Sequence, residues 1–245
     1  MSNPDKDAPG DAPAVHRRFY KDAVAAPAAG GYGVLIDGRQ LRTPGKTPFV
    51  APTSALAEAC AAEWRAQGDA VQPQTMPLTR LVNVALDHTP RARARIVESI
   101  AGYAATDLVC HRADAPEPLA AKQAEAWDPL VAWAAERLRA PLAVVTGVIA
   151  ARQPDAARPA FAASAEAFDD FALTGLARAV GMAGSGVIGL AMAHGHLDAE
   201  AAWRAACVDD FWQLETWGED FIARQRLDAL KEEFDTLGAW FSALR

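Results

Sequence analysis

The chain has 245 residues, long enough for one large domain or two small ones. It is 51% hydrophobic and 22% charged, a globular composition that excludes a disordered or fibrous chain. A net charge of −7 argues against a broad surface for nucleic acid or anionic membrane. Residues 1–100 carry 12 basic and 10 acidic side chains and residues 101–245 carry 12 and 21, so an electrostatic partner of the second part is expected to be basic or neutral.

Residues 1–14, rich in Pro, Ala and Asp, read as a disordered tail. They have neither the apolar run of a secretory signal nor the arginines of a transit peptide. Extended segments follow at Arg18–Val24, Gly33–Ile36 and Arg39–Arg42, the last two joined by Asp37-Gly38, a strong hairpin signal because both turn residues tolerate positive φ. Thr43–Lys46 makes another turn before Thr47–Val50. Thr53 or Ser54 then caps a helix that stops at Gly68.

Helix dominates from there. Pro77–Asp87 is amphipathic, Pro90 opens a helix to about Ala105, and Glu117–Arg139 is long, with Pro129 either kinking it or starting a second helix. Ala140–Ala151 reads as a connector or a short buried strand. Asp155–Met182, Gly186–Ala193, Asp198–Trp217 and Glu219–Leu244 complete a helical second half. The expected fold class is α+β: a small β-rich N-terminal unit over residues 15–88, then an α-helical domain over 89–245. The longest uncharged apolar stretch, Ala179–Ala193, has 15 residues against the roughly 20 that a bilayer span needs.

Cys60, Cys110 and Cys207 are odd in number and widely spaced, which fits a reducing compartment better than a disulfide framework. His194-Gly-His196 and Cys110-His111 lack the third and fourth ligands of a metal site. There is no P-loop, G-x-S-x-G or H-E-x-x-H. Gly184–Gly189 matches G-x-G-x-x-G, with Asp209 at a dinucleotide-like spacing. That motif works only where a strand runs into the first glycine, and here the preceding residues have helical periodicity, so a packed helix–turn–helix junction is expected instead.

On a helical projection Trp203, Cys207, Phe211, Leu214, Trp217 and Phe221 form one stripe, read as core. Asp210 falls inside that stripe and Asp209 outside it. Trp212 points the other way, among Asp209, Glu215, Thr216 and Glu219, either covered by the other unit or offered to a partner.

The segments RFYKDA, GYGVLIDGRQLRTPGKTPFVAPT, AAEW (Ala61–Trp64), MPLTRLVNVALD (Met76–Asp87), TDLVCHR (Thr106–Arg112), AEAWDPLVAWA (Ala124–Ala134) and QLETWG (Gln213–Gly218) occur in order from about residue 17 to 218. Together they resemble the chaperone family, found in mitochondria and α-proteobacteria, that escorts the alpha subunit during assembly of the ATP synthase F(1) sector. The resemblance implies a two-part α+β protein without catalytic activity or cofactor. Such a protein binds the unassembled alpha subunit and yields it to beta subunits. The missing transit peptide and Ala-rich composition point to a bacterial, cytoplasmic member. No nucleic acid, membrane insertion or small-molecule substrate is implied, and the family's C-terminal acidic position falls on Asp209 or Asp210 by distance from Trp217-Gly218. The candidate contacts are Trp64, whose other reading is a core residue joining the two units, and Asp209, Asp210, Trp212, Glu215 and Glu219. The rival reading is a nucleotide-binding enzyme using Gly184–Gly189.

Overall fold

The structure, a computed structural model, describes residues 16–147, 149, 152–218 and 220–245; the expected tail over 1–14 and Glu219 lie outside these residues. The fold is α+β, an antiparallel sheet followed by a mostly helical region. Strands β2 (Ala23–Ala28) and β3 (Gly31–Ile36) form a hairpin with Ala23 opposite Ile36. The chain returns through Asp37 and Gly38, both at positive φ (47° and 78°), into β4 (Arg39–Gln40), as the Asp-Gly signal predicts. β5 (Val50–Ala51) pairs with the other end of β3. The strand expected over Arg18–Val24 is interrupted. His16–Arg17 forms β1 and pairs with β6 (Ala70–Val71), while the Asp37 carboxylate accepts the backbone N–H groups of Lys21 and Asp22 and takes them off the ladder.

Helix α1 (Ser54–Arg65) is capped by Thr53, whose hydroxyl accepts from Leu56 N at 3.1 Å and donates to the Ala243 carbonyl at the far end of the chain. Helix α2 (Pro77–Asp87) matches its expected bounds. The Glu63 carboxylate of α1 accepts its first N–H groups, from Leu78 and Thr79, at 2.7 and 2.8 Å. At its other end Asp87 accepts from the Thr43 and Thr47 hydroxyls and from Gly45 N.

Beyond α2 run α3 (Thr89–Gly102), a two-residue β7 (His111–Arg112), α4 (Glu117–Arg137), β8 (Val145–Thr146) parallel to β7, α5 (Ala157–Glu166), α6 (Asp170–Ala183), α7 (Gly186–Ala193), α8 (Ala199–Ala206), α9 (Val208–Trp217) and α10 (Phe221–Ala243). Helix α4 continues through Pro129 as one element. Two expected helices are each split. Asp155–Met182 breaks before Asp169, which caps α6 by accepting from Ala172 N, and Asp198–Trp217 breaks at Cys207 (φ −115°, ψ 22°). Within the expected connector Ala140–Ala151, β8 is the extended part; residues 148, 150 and 151 are outside those described.

One contiguous core runs from Tyr20 and Val34 of the sheet region through Trp127 and Leu176 to Trp240 and Phe241 of α10. Its centre is α7, apolar on all sides and buried from Gly186 to Met192. Among the described residues no helix is long and apolar enough to cross a membrane.

Candidate partner-binding surface

The Gly184–Gly189 segment is a packing device. Helix α6 ends at Gly184 in the left-handed conformation, and Ser185 caps α7 by accepting from Ile188 N at 3.0 Å. The anion at the α7 N-terminus is the protein's own: Asp107, fully buried, accepts from Val187 N at 3.0 Å and from the Ser185 hydroxyl. Burial pushes the Asp107 pKa up to about 6, against the lowering effect of these hydrogen bonds. A Cβ on Gly189 would lie 2.4 Å from the Val180 side chain, so glycine is required there for α7 to rest on α6. No strand enters the motif, and a phosphate would meet a carboxylate already in place. The geometry overturns the nucleotide reading.

The other sequence candidates for chemistry are likewise built into packing. His196 stacks on Trp133 with ring centroids 5.1 Å apart, and His194 Nε2 lies 2.9 Å from the Ser164 hydroxyl. No group of three potential ligands gathers among the described residues. All three cysteines are buried and free. Burial pushes the Cys110 and Cys207 thiols up to about 12, so neither supplies a thiolate near neutrality.

Helix α9 is built differently. None of its residues is fully buried, and it lies on the surface between α4 and α10, held at three points. The Asp209 carboxylate accepts at 2.7 Å from Nε2 of Gln123, a side chain buried in α4 whose Oε1 accepts from Ala113 N. Asp210 pairs with Arg226 of α10, and Glu215 pairs with Lys122 of α4 at 2.8 Å. Phe211 sits edge-on to the buried Trp203 at 4.9 Å, and the Arg204 guanidinium lies over both rings. Between α4, α8 and α9 runs an apolar groove floored by Leu130, Val208 and Phe211 and edged by Lys122, Arg204 and Glu215.

Several expectations are corrected here. Asp209, read as outward, faces the buried Gln123; Asp210, read as inside the apolar stripe, makes an ion pair with a largely exposed arginine. The breaks at Cys207 and Gly218 reset the helical phase, so a single projection across them fails. Trp217 and Phe221, read as core, are 76% and 79% exposed, and Ile222 beside them is 75% exposed. The warning sign is Gly218 itself (φ 90°), which ends α9, with Asp220 capping α10 by accepting from Ile222 N at 2.8 Å.

Trp212 is half-buried on α9. Trp64 is half-buried in the N-terminal region, where its ring packs edge-on against Tyr20 and its carbonyl accepts from the Tyr20 hydroxyl at 2.7 Å. These contacts do not join it to the α9 set. Glu219 is outside the described residues. Sequence reasoning missed Ile222 and Asp107. Ile222 was legible as an apolar residue directly after the Gly218–Asp220 break.

The described residues form an α+β fold whose one nucleotide-like motif is filled by its own packing and whose α9, clamped on the surface, has no fully buried residue. The family model described as ATP12 chaperone protein matches residues 17–135. The crystal structure of Atp12 from Paracoccus denitrificans superposes with a TM-score of 0.89 at 38% identity over 94% of this chain and 99% of that one. An aspartate-to-lysine mutant of the same protein gives the same score and identity, over 98% of its own length. Atu1473 from Agrobacterium tumefaciens gives 0.87 at 38% identity over 94% of this chain and 86% of that one. The chain belongs to the ATP12 chaperone family, non-enzymatic factors of ATP synthase assembly.

Proposed function

We propose that this chaperone binds the unassembled alpha subunit of the ATP synthase F(1) sector and prevents its aggregation until beta subunits replace it. The observation that carries the reading is α9, a helix without a fully buried residue, tied by Gln123, Lys122 and Arg226 and carrying the half-buried Trp212. A subunit awaiting its neighbours exposes the apolar surface they will later cover, and such surfaces aggregate. A rigid, moderately sized docking face protects that surface and is displaced by the larger permanent interface. Trp212 is the proposed contact on this side, with Asp209, Asp210 and Glu215 holding its helix in position, and Trp64 is the proposed contact on α1. The setting is the bacterial cytoplasm, and no cofactor, nucleic acid or small-molecule substrate is required.

The test is light scattering by the cognate alpha subunit diluted from denaturant. An equimolar amount of this protein should suppress the rise, and adding beta subunits should release alpha into assembled F(1). ATP or NAD should leave the melting temperature of the chaperone unchanged, because a ligand that binds only the native state would raise it. Unchanged alpha aggregation would contradict the reading.

A further inference from the structure

Three large apolar side chains, Trp217, Phe221 and Ile222, are each at least 75% exposed within six residues at the corner where α9 gives way to α10. A soluble chain rarely leaves such a cluster in water without using it. Each side of the corner is tied to its own helix. Gly218 takes a φ of 90° that an L side chain rarely adopts, Gly218 N donates to the Leu214 carbonyl to close α9, and Asp220 fixes the first turn of α10. On α10 the exposed stripe continues from Phe221 through Gln225 to Asp228 and Glu232, which line one shallow depression together with Arg224 and Ala229. Asp228 and Glu232 make no ion pair among the described residues, whereas the acids of α9 are engaged in clamping that helix. Residues 209–235 hold nine acidic and three basic side chains.

Resting on the alpha-subunit reading, we infer that Trp217, Phe221 and Ile222 are the apolar anchor for the alpha subunit, and that the patch they meet is apolar and rimmed by lysine or arginine. Two other occupants fit worse. A second copy docked corner to corner about a two-fold axis would bring Asp228 and Glu232 against their own equivalents. The chain's own residues 1–15 carry three aspartates and one lysine, and beyond Met1 and Val15 they hold no large apolar side chain. A basic-rimmed apolar patch satisfies both the exposed rings and the unpaired carboxylates, which steer association and fix register.

The experiment titrates full-length protein against cognate alpha subunit and records the melting temperature and sedimentation of each variant. The double variant Phe221→Ser/Ile222→Ser should bind at least tenfold more weakly, remain monomeric and melt within about 2 °C of the parent. Asp228→Lys/Glu232→Lys should lower the association rate several-fold and flatten its salt dependence. Val144→Ser, an exposed apolar change outside the corner, should bind normally. Affinity within twofold for the serine double variant, with the parent binding alpha, would overturn the anchor and leave the alpha-subunit reading standing. A parent that binds no alpha subunit overturns both. A parent dimer that the serine changes dissociate would make a second copy the occupant, and a tenfold affinity gain on deleting residues 1–15 would make it the tail; either contradicts the proposal.

Discussion

The junction between α6 and α7 and the corner between α9 and α10 invert the impressions their sequences give. Gly184–Gly189 looks like a ligand loop and is closely packed: a buried carboxylate caps the helix and a glycine lets α7 touch Val180. Trp217 and Phe221 look like the continuation of a core stripe and stand in water. A glycine motif carries function only when what precedes it leaves the helix terminus open. An apolar stripe carries burial only as far as its helix is unbroken.

The largest effect is expected at the junction. Gly189→Val forces a side chain into Val180 and its backbone, and should cost about 3 kcal/mol, or roughly 6–12 °C in melting temperature for a chain of this size. Retention of the parent melting temperature would show that α7 does not rest on α6 as described.

The second effect is a pH dependence. Because burial raises the Asp107 pKa to about 6 from 3.8, the folded protein holds that proton more tightly than the unfolded chain does. The stabilisation linked to it is complete below about pH 4 and is lost as the pH rises through 6. Denaturant melts between pH 4.5 and 7.5 should show this slope, on the order of 2 kcal/mol, in the parent and not in Asp107→Asn. Identical slopes would remove Asp107 from the account.

On α9 the two neighbouring aspartates should separate. Asp209→Ala leaves the buried Gln123 amide without its acceptor and should cost about 1–2 kcal/mol. Asp210→Ala loses an ion pair to an arginine that is largely exposed and should cost less than about 1 kcal/mol. The reverse order would restore the phase in which Asp210 lies inside. The smallest effect belongs to the corner, where Trp217→Ala should change stability by no more than about 0.5 kcal/mol because there is little packing to lose.

Local signals with a chemical cause were legible in the sequence. The Asp37-Gly38 turn, the Thr53 cap, the bounds of Pro77–Asp87 and the failure of the glycine motif each follow from one or a few residues acting on their own backbone. What was not legible came from residues distant in the chain. Gln123 decides which of Asp209 and Asp210 is held inside, 86 residues away from Asp209, and the Asp37 carboxylate decides where the first strand breaks. Asp169, read as lying within one helix over Asp155–Met182, is the cap that splits it in two. Of the candidate surface, α9 was singled out in the sequence by its off-stripe tryptophan. The exposed corner was hidden by carrying one helical phase across Gly218.

Amide hydrogen exchange with and without the cognate alpha subunit tests the account most directly, since both regions are read in one experiment. The account predicts slowed exchange over residues 212–226 in the complex, with Ser185–Gly189 unchanged because the Val187, Ile188 and Gly189 N–H groups are already bonded inside the fold. Protection at Ser185–Gly189 with residues 212–226 unchanged would contradict it.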